Sequence, residues 1–176
     1  MKILDATCGT KAMWYEKNHP FVTYIDIRKG HFFYWNKKKA RKATQFKINP
    51  DILMDFTNLN FPDCSFDMVI FDPPHFVRKN KEDNKNAMTE RYGLLLSENW
   101  KQVLQKGINE LFRVLRPEGI FIFKWSETDK SIDSVMKLFP YKPILGNKNR
   151  FNPRRDKESF WLVFLKYDVN NKLDIN

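Results

Sequence analysis

Short apolar runs recur along this chain, and each of them is too short to form a helix. Five lie between helix-like or polar stretches, at residues 3–4, 22–27, 52–54, 68–71 and 120–123. Runs that are apolar on both faces are typical of buried parallel strands. The last apolar run, which spans residues 160–165, predicts a strand of either direction. The pattern therefore predicts a central sheet.

Helical spacing is clearest between Ser97 and Leu115. Apolar side chains recur there at intervals of three or four residues, namely Trp100, Val103, Leu104, Ile108, Leu111, Phe112 and Leu115. Ser97 is suited to cap the first turn, and residues 117–119, Pro-Glu-Gly, would end the helix. Shorter helices are predicted over 10–18 and 130–138. Strands that alternate with helices indicate an α/β domain with a mostly parallel sheet and helices on both faces.

Residues 28–49 interrupt this alternation. They contain an aromatic group at 32–35, then a basic run, and then Phe46 and Ile48 in alternation with polar residues. This pattern predicts a hairpin, inserted where a crossover helix would be expected. A helix is the alternative.

Length and composition indicate one domain over residues 1–176, with a polar tail at about 168–176. The chain has 176 residues and is 42% hydrophobic, which is enough for one sizeable core. No run approaches the ~20 apolar residues that span a bilayer, and the first residues run directly into a strand, so we expect a cytoplasmic protein. Cys8 and Cys64 form no CxxC pair and are followed by no His cluster, which predicts neither a metal site nor a disulfide framework.

Charge adds a class of partner to this picture. The formal net charge is +10 and the pI is about 9.6, and such an excess favours DNA, RNA or an acidic membrane surface. A membrane surface would call for a basic amphipathic helix at one end of the chain. The ends are instead a strand and a polar tail, so we expect nucleic acid and no membrane.

The segment Asp5-Ala6-Thr7-Cys8-Gly9-Thr10-Lys11 directly follows the first strand. The carboxyl end of this strand is where open α/β sheets bind nucleotide-like ligands, and a glycine there lets the backbone approach the ligand. The same string also suits an ordinary strand-to-helix turn. Asp26 ends the next strand, where its carboxylate can accept hydrogen bonds from both hydroxyls of a ribose. A helix cap or a solvated charge is the alternative for Asp26.

The strand at 66–71 leads into Asp72-Pro73-Pro74-His75-Phe76. Two consecutive prolines forbid a helix and remove two backbone donors, so this elbow is rigid and fixes Asp72 in space. An amino group on a base is a poor nucleophile because its lone pair is delocalised into the ring. A carboxylate and a backbone carbonyl that accept its two N–H bonds would aim that lone pair at a methyl donor, while a neighbouring ring stacks on the base. Asp-Pro-Pro is also a common turn sequence.

In this order, the Cys8-Gly9-Thr10 turn, Asp26, Asp55-Phe56 and the Asp72-Pro73-Pro74-His75 motif resemble the class I S-adenosylmethionine-dependent methyltransferases. They resemble the amino-methylating branch with an Asp-Pro-Pro-aromatic motif in particular. Residues 115–119, before the predicted strand at 120–123, are similar to the turn that precedes the fifth strand of that class. The resemblance covers nearly the whole chain and implies a Rossmann-like fold, with the last strand antiparallel beside the fifth.

The resemblance also assigns roles to residues. It implies that the cofactor is S-adenosylmethionine, which becomes S-adenosylhomocysteine, and that no metal takes part. Its methionine part would lie against Asp5 and the loop residues Thr7, Cys8, Gly9 and Thr10. Asp26 would hold the ribose, and Asp55 with Phe56 would contact the adenine. Asp72 and Pro73 would hold the target amine next to the cofactor, supported by Pro74, and His75 or Phe76 would supply the stacking ring.

Three features depart from the family pattern. The glycine expected two positions after Gly9 is Lys11, His75 stands where Tyr, Phe or Trp is commoner, and the separate target-recognition domain of many DNA methylases is missing. Target recognition would then fall to this domain alone, to a second copy in a homodimer or to a partner subunit.

Fourteen of the 31 Lys and Arg residues fall in segments 37–42, 78–85 and 148–157. These segments follow the second, fourth and sixth predicted strands, which places them on the rim where the cofactor would bind. The proposed nucleic-acid contacts are Lys37, Lys38, Lys39, Arg41, Lys42, Arg78, Lys79, Arg154 and Arg155. Scattered solvated charges are the alternative. The polar stretch at 77–97 would be a mobile lid.

Taken together, these features predict a methyltransferase that acts on an exocyclic amino group of a nucleic-acid base, with adenine N6 in DNA as the first choice. RNA adenine or guanine is the second choice. Methylation of a small molecule or a protein, and a non-enzymatic cofactor-binding partner of another subunit, are the rival hypotheses.

Overall fold

A computed structural model describes residues 1–35, 43–80, 87–148 and 158–167 of the chain. Its strands, in chain order, are β1 (Ile3–Asp5), β2 (Val22–Asp26), β3 (Gly30–Trp35), β4 (Ala43–Ile48), β5 (Ile52–Leu53), β6 (Phe66–Phe71), β7 (Val77–Arg78), β8 (Leu95–Leu96), β9 (Leu115–Ser126), β10 (Leu145–Lys148) and β11 (Ser159–Leu165). Its helices are α1 (Ala87–Tyr92), α2 (Trp100–Val114) and α3 (Ile132–Met136).

Seven strands form the central sheet in the order β10-β11-β9-β6-β1-β2-β5. The five neighbouring strands β9, β6, β1, β2 and β5 pair in parallel, whereas β11 lies antiparallel between β9 and β10. The chain winds outward from β1 to β5 and then returns to β6, so the strand order reverses between β1 and β6. Ligands bind at such a reversal in open α/β sheets. The predicted Rossmann-like sheet and its antiparallel last strand are confirmed.

One face of the sheet forms the main core. Inward-facing side chains such as Leu4, Val69, Phe71 and Phe121 are fully buried there. They pack against an apolar stripe of α2, formed by Leu104, Gly107, Ile108, Leu111 and Phe112. Helix α3, which Ser131 caps, adds the buried Val135 to the same core. The predicted helices at 97–115 and 130–138 are confirmed with shorter bounds.

The second face is covered differently over β1 and β2. A smaller cluster of Ile3, Cys8, Val22 and Tyr24 packs against Trp14, which belongs to a loop. The helix predicted over 10–18 is therefore wrong. Lys11 has a left-handed φ of 54°, which is incompatible with a right-handed helix. The indole of Trp14 donates a hydrogen bond to Asp5, and this bond fixes the loop against the sheet.

Strands β3 and β4 pair antiparallel from Gly30–Ile48 to Trp35–Ala43, as the predicted hairpin requires; for these residues the helical alternative is wrong. The stretch at 77–97 holds the parallel pair β7–β8 and helix α1 in its described part, and its motion as a lid stays a prediction. Ser97 does not cap α2, because its backbone N–H donates to Arg78 and the helix begins only after Asn99. No helix in the described ranges is both long and apolar enough to cross a membrane.

Candidate active site

A cavity of about 330 Å³ lies at the carboxyl ends of β1, β2 and β6, where the strand order reverses. Its wall is formed by residues 6–10, 12–13, 26–28, 32, 54, 56, 72, 74 and 89–94. Three groups of residues that are distant in the sequence meet here, namely the loop after β1, the end of β2 and the Asp-Pro-Pro elbow after β6. The structure therefore brings most of the predicted site residues together.

Asp5 lies behind the cavity wall and is fully buried. Its carboxylate accepts hydrogen bonds from Nε1 of Trp14 at 2.7 Å and from the backbone N–H of Thr7 at 3.2 Å. Burial outweighs these neutral donors and raises the pKa of Asp5 to about 7. Cys8 lines the cavity, and burial raises the pKa of its thiol, so it is no thiolate nucleophile at neutral pH.

The turn after β1 has the backbone shape that glycines favour. Gly9 and Lys11 have φ values of 49° and 54°, so Lys11 adopts the conformation that the expected glycine would adopt. Its side chain is buried, with Nζ lying 3.6 Å from Oδ1 of Asp51 and 3.7 Å from the ring centroid of Tyr24. The departure at Lys11 thus leaves the glycine-like turn in place.

Asp26 is buried at the end of β2 and ties three segments together. Its Oδ2 accepts a hydrogen bond from the N–H of Gly9 at 3.0 Å, and its Oδ1 accepts one from the N–H of Arg28 at 2.9 Å. Nε of Arg28 lies 3.2 Å from the same Oδ1. Nη1 of Arg28 donates to the carbonyls of Glu90 and Arg91 at 3.1 and 3.3 Å. Arg28 therefore joins the carboxylate to the end of α1.

Asp55 and Phe56, which lie shortly after β5, have different surroundings. Phe56 is buried, lines the cavity and packs on Phe71, with 5.0 Å between the ring centroids. Asp55 is exposed, lies outside the cavity wall and accepts a hydrogen bond from the N–H of Thr57 at 2.8 Å. The structure therefore places Phe56, together with Met54, in the cavity wall, and the contacts of Asp55 and Phe56 with an adenine stay predictions.

Asp72 lines the cavity immediately after β6. Its N–H donates to Oγ1 of Thr7 at 3.1 Å, its Oδ2 accepts from Nζ of Lys124 at 2.7 Å, and its Oδ1 lies 2.9 Å from Nε2 of His75. Burial opposes the charge of Asp72, but His75 and Lys124 outweigh it and hold the pKa of this carboxyl below its ordinary value. Asp72 is therefore ionised at neutral pH.

The two candidate stacking rings occupy different surroundings. The His75 ring packs edge-on against the buried Trp125 with centroids 5.0 Å apart, and its Nδ1 accepts from the N–H of Ser126 at 3.4 Å. Its Nε2 faces Asp72, so both nitrogens are engaged and the ring supports the elbow from within. Phe76 is half-buried and lies beneath the guanidinium of Arg78, 5.4 Å from the ring centroid.

No protein-family model matches this chain, and no curated protein matches it. Solved structures share its fold. The N-methyltransferase NodS from Bradyrhizobium japonicum in complex with S-adenosyl-L-homocysteine is 11% identical, with a TM-score of 0.58 over 96% of this chain and 79% of that one. A SAM-dependent methyltransferase from Methanosarcina mazei is 14% identical, with a TM-score of 0.52 over 94% and 92% of the two chains. The chain has the Rossmann-like fold of S-adenosylmethionine-dependent methyltransferases.

A third structure with this fold carries a small molecule. The 1,6-didemethyltoxoflavin-N1-methyltransferase of Burkholderia thailandensis, with bound 1,6-didemethyltoxoflavin and S-adenosylhomocysteine, is 15% identical to this chain. Its TM-score is 0.51, over 94% of this chain and 71% of that one. Methyltransferases of this fold therefore include enzymes whose targets are far smaller than a nucleic acid.

Most of the predicted nucleic-acid contacts lie outside the described residues, namely Lys37, Lys38, Lys39, Arg41, Lys42, Arg154 and Arg155. Of the remaining two, Lys79 is exposed, and Arg78 is half-buried, pairs with Asp129 and stacks on Phe76. The described residues contain no group of three or more His, Cys, Asp or Glu side chains that could hold a metal ion.

Sequence reasoning missed four parts of this site. Arg28 and Phe32 reach the cavity wall from the start of the hairpin, and residues 89–94 close the wall from α1. Lys124 pairs with Asp72 from β9. The signal for Lys124 was present in the sequence, since a lone cation inside the apolar run of β9 requires a partner.

Proposed function

We propose that this chain is an S-adenosylmethionine-dependent methyltransferase that methylates an exocyclic amino group of a nucleic-acid base, with adenine N6 in DNA as the first choice. One observation carries the proposal. The ionised Asp72 of the Asp-Pro-Pro elbow lines the same cavity as Gly9 and Asp26, on a fold that binds S-adenosylhomocysteine in NodS. A group that holds an amine thus lies next to residues that suit the cofactor.

The residues of the cavity fit this cofactor. Phe56 and Met54 offer an apolar surface for the adenine, and the glycine turn at Gly9 lets the backbone approach the methionine part closely. Asp26 would hold the ribose from the end of β2, where its carboxylate lines the cavity. Gly9 and Arg28 donate four hydrogen bonds to this carboxylate, and the longest, from Nη2 of Arg28 at 3.5 Å, is the one that a ribose hydroxyl would replace. S-adenosylmethionine supplies, when bound, a methyl group activated by the sulfonium charge. The cavity volume of about 330 Å³ lies within the range of small-molecule sites.

Asp72 and the Pro73 carbonyl would orient the target amine. The carboxylate remains charged, and among the described residues nothing donates a hydrogen bond to the carbonyl of Pro73. Two acceptors next to each other can take both N–H bonds of an amine, so that its lone pair points away from them toward the methyl group. The proline pair keeps both acceptors fixed. Phe76, whose ring is half-buried, is the better candidate than His75 for stacking on the base.

The nucleic-acid partner is supported by charge. The net charge of +10 is large for 176 residues, and two of the three basic segments, 37–42 and 78–85, follow shortly after site residues in the sequence. DNA precedes RNA because the motif begins with Asp rather than Asn. Base extrusion costs a few kcal/mol in a duplex and less in a single strand, so this small domain would favour single-stranded or structured targets, alone, as a homodimer or with a partner subunit.

Methylation of a small molecule is the second candidate, and the Burkholderia enzyme with its bound small molecule is the observation that favours it. The two candidates differ in what the cavity mouth must admit. If the protein binds a polynucleotide with a strong salt dependence, the first candidate is favoured. If it binds neither DNA nor RNA, the second candidate is favoured.

The test is transfer of a radiolabelled methyl group from S-adenosylmethionine to separate pools of DNA, RNA and protein, followed by mass spectrometry of the nucleosides. We expect label in a polynucleotide pool, recovered as an N-methylated nucleoside, with N6-methyldeoxyadenosine as the first expectation. Label in neither DNA nor RNA, together with absence of salt-dependent binding to both, would contradict the proposal and favour a small molecule. Asp72→Ala is the control for enzyme-borne activity.

A further inference from the structure

Lys124 lies beside Asp72 because of the register between two strands. Phe71 of β6 pairs with Phe123 of β9 in parallel. The next residues, Asp72 and Lys124, therefore lie side by side at the carboxyl end of β6. Nζ of Lys124 lies 2.7 Å from Oδ2 of Asp72. Asp72, which lines the cavity, therefore has a hydrogen-bond donor directly beside it.

Lys124 keeps donors for a ligand. A lysine ammonium has three N–H donors, and Asp72 takes one of them. Within the described part of the chain, the ammonium also makes a cation–π contact with the ring of Trp161, whose centroid lies 5.8 Å from Nζ. The side chain is 24% exposed, so the ammonium is neither sealed in the core nor fully solvated.

The ion pair of Asp72 and Lys124 offers a ligand a donor as well as an acceptor. Two acceptors suffice to hold an amino group, and the ammonium adds a strong donor immediately beside them. On adenine and on cytosine, the exocyclic amine lies next to a ring nitrogen that is a hydrogen-bond acceptor. A donor beside an acceptor on the protein matches this pair of groups, in the way that a single Asn side chain matches two groups of adenine.

We propose that Lys124 determines specificity by donating a hydrogen bond to the ring nitrogen next to the target amine, while Asp72 accepts an N–H of the amine. This inference rests on the proposed function. It predicts that bases with an unprotonated ring nitrogen at that position are preferred. A base that carries N–H there would set two donors against each other, which is unfavourable in a partly buried site.

The test compares three probes, 9-methyladenine, its 1-deaza analogue and 9-methylpurine. The 1-deaza analogue keeps the amine but has C–H in place of the ring nitrogen, and 9-methylpurine keeps the nitrogen but lacks the amine. Binding to the full chain, saturated with S-adenosylhomocysteine, is measured by ligand-observed NMR. We expect 9-methyladenine to bind roughly tenfold or more tightly than the 1-deaza analogue, since a hydrogen bond to a charged group is at stake.

Variants assign this preference to one side chain. In Lys124→Met the ratio between the adenine probe and its 1-deaza analogue should fall to about one, and in Lys124→Arg, which keeps a charged donor, a preference should return. Lys101→Met removes an exposed lysine of α2 and is the matched control, which should keep the ratio of the parent. Thermal unfolding of each variant checks that it is folded.

The outcomes separate the inference from the proposed function. Preference for 9-methyladenine over 9-methylpurine but equal binding of the 1-deaza analogue would overturn the role of Lys124 and leave the amine site intact. Equal binding of all three probes to the parent would count against both. A Lys124→Met variant that weakens all probes alike but keeps the ratio of the parent would show that Lys124 only supports Asp72, and this too would overturn the inference.

Discussion

Two carboxylates at the carboxyl ends of neighbouring strands, Asp5 at the end of β1 and Asp72 directly after β6, have pKa values shifted in opposite directions. Asp5 is bonded only to neutral donors, the indole of Trp14 and the N–H of Thr7, and burial raises its pKa to about 7. Asp72 is less enclosed, with 14% of its side chain exposed, and its contacts with His75 and Lys124 more than offset its burial and lower its pKa. The same side chain thus behaves differently because of the charges placed beside it.

This difference divides the site into two halves. Asp5 has only neutral hydrogen-bond donors, whereas Asp26 in the same half is paired with Arg28. Asp5 is therefore the acid whose charge a positively charged ligand would stabilise, as the sulfonium and ammonium groups of S-adenosylmethionine would do. The half near Asp72 supplies its own cation, so its carboxylate stays ionised and can accept a hydrogen bond from a neutral amine.

Asp72→Ala should lower the rate of methyl transfer by about 10²–10³-fold, because it removes an oriented acceptor that acts on the reacting group. Affinity for S-adenosylhomocysteine, measured by calorimetry, should stay close to that of the parent. Asp67→Ala removes an acid from the opposite end of β6 and is the matched control, which should keep its activity. Near-normal turnover in Asp72→Ala would remove Asp72 from the mechanism.

Asp26→Ala should weaken S-adenosylhomocysteine binding by roughly 10- to 100-fold, since a charge-assisted hydrogen bond to a ribose is worth roughly 1.5–3 kcal/mol. Asp55→Ala is the comparison variant. The structure leaves Asp55 outside the cavity wall, so this variant should bind like the parent. Calorimetry in which Asp55→Ala loses more affinity than Asp26→Ala would reverse the assignment of the two acids.

Gly107→Ala tests the wall of the cofactor half from behind. A Cβ at Gly107 would lie 2.3 Å from Cδ2 of Phe56, so the ring must move toward the cavity. Overpacking of this kind costs typically 1–3 kcal/mol of unfolding free energy, and cofactor affinity should fall as well. In a Phe56→Ala background the same change should be harmless or stabilising, because alanine is the better helix former. Denaturant unfolding of all four chains measures the coupling.

Asp5→Asn tests the electrostatic half of the comparison. The raised pKa of Asp5 means that the native state binds the extra proton between pH 4 and about 7, so the contribution of Asp5 to stability is full below pH 4 and is lost as the pH rises through 7. Between pH 6 and 7 the parent should lose at most about 1.4 kcal/mol of unfolding free energy through Asp5, and Asp5→Asn should not show this loss. Denaturant unfolding at both pH values gives the difference. A parallel pH dependence in the two proteins would contradict the raised pKa.

Much of the sheet could be predicted from the sequence, because buried strands require continuous apolar runs whatever surrounds them. The apolar run at 120–123 lies within β9. The alternation of apolar and polar residues around Phe46 corresponds to β4, which pairs with β3. Loop 10–18 could not be predicted in this way. Its conformation depends on the bond from Trp14 to Asp5, which is a tertiary contact that spacing in the sequence does not reveal.

The residues of the candidate site likewise fall into those that the sequence could predict and those that depend on tertiary contacts. Asp26 and Asp72 could be found because Asp26 ends β2 and Asp72 directly follows β6, and parallel strands bring their carboxyl ends together. Arg28 and Lys124 could not be assigned, because their roles depend on partners 62 and 52 residues away in the sequence. The difference between Asp55 and Phe56 depends on which side of the chain faces the cavity.

The most direct test of the account is the titration of S-adenosylhomocysteine into the parent protein by calorimetry, with thermal unfolding measured in parallel. We expect saturable binding of one molecule per chain and a rise in the unfolding temperature, because a ligand that binds only the native state stabilises it. Absence of both heat and stabilisation at saturating concentrations, in a folded sample, would contradict the assignment of this cavity to the cofactor.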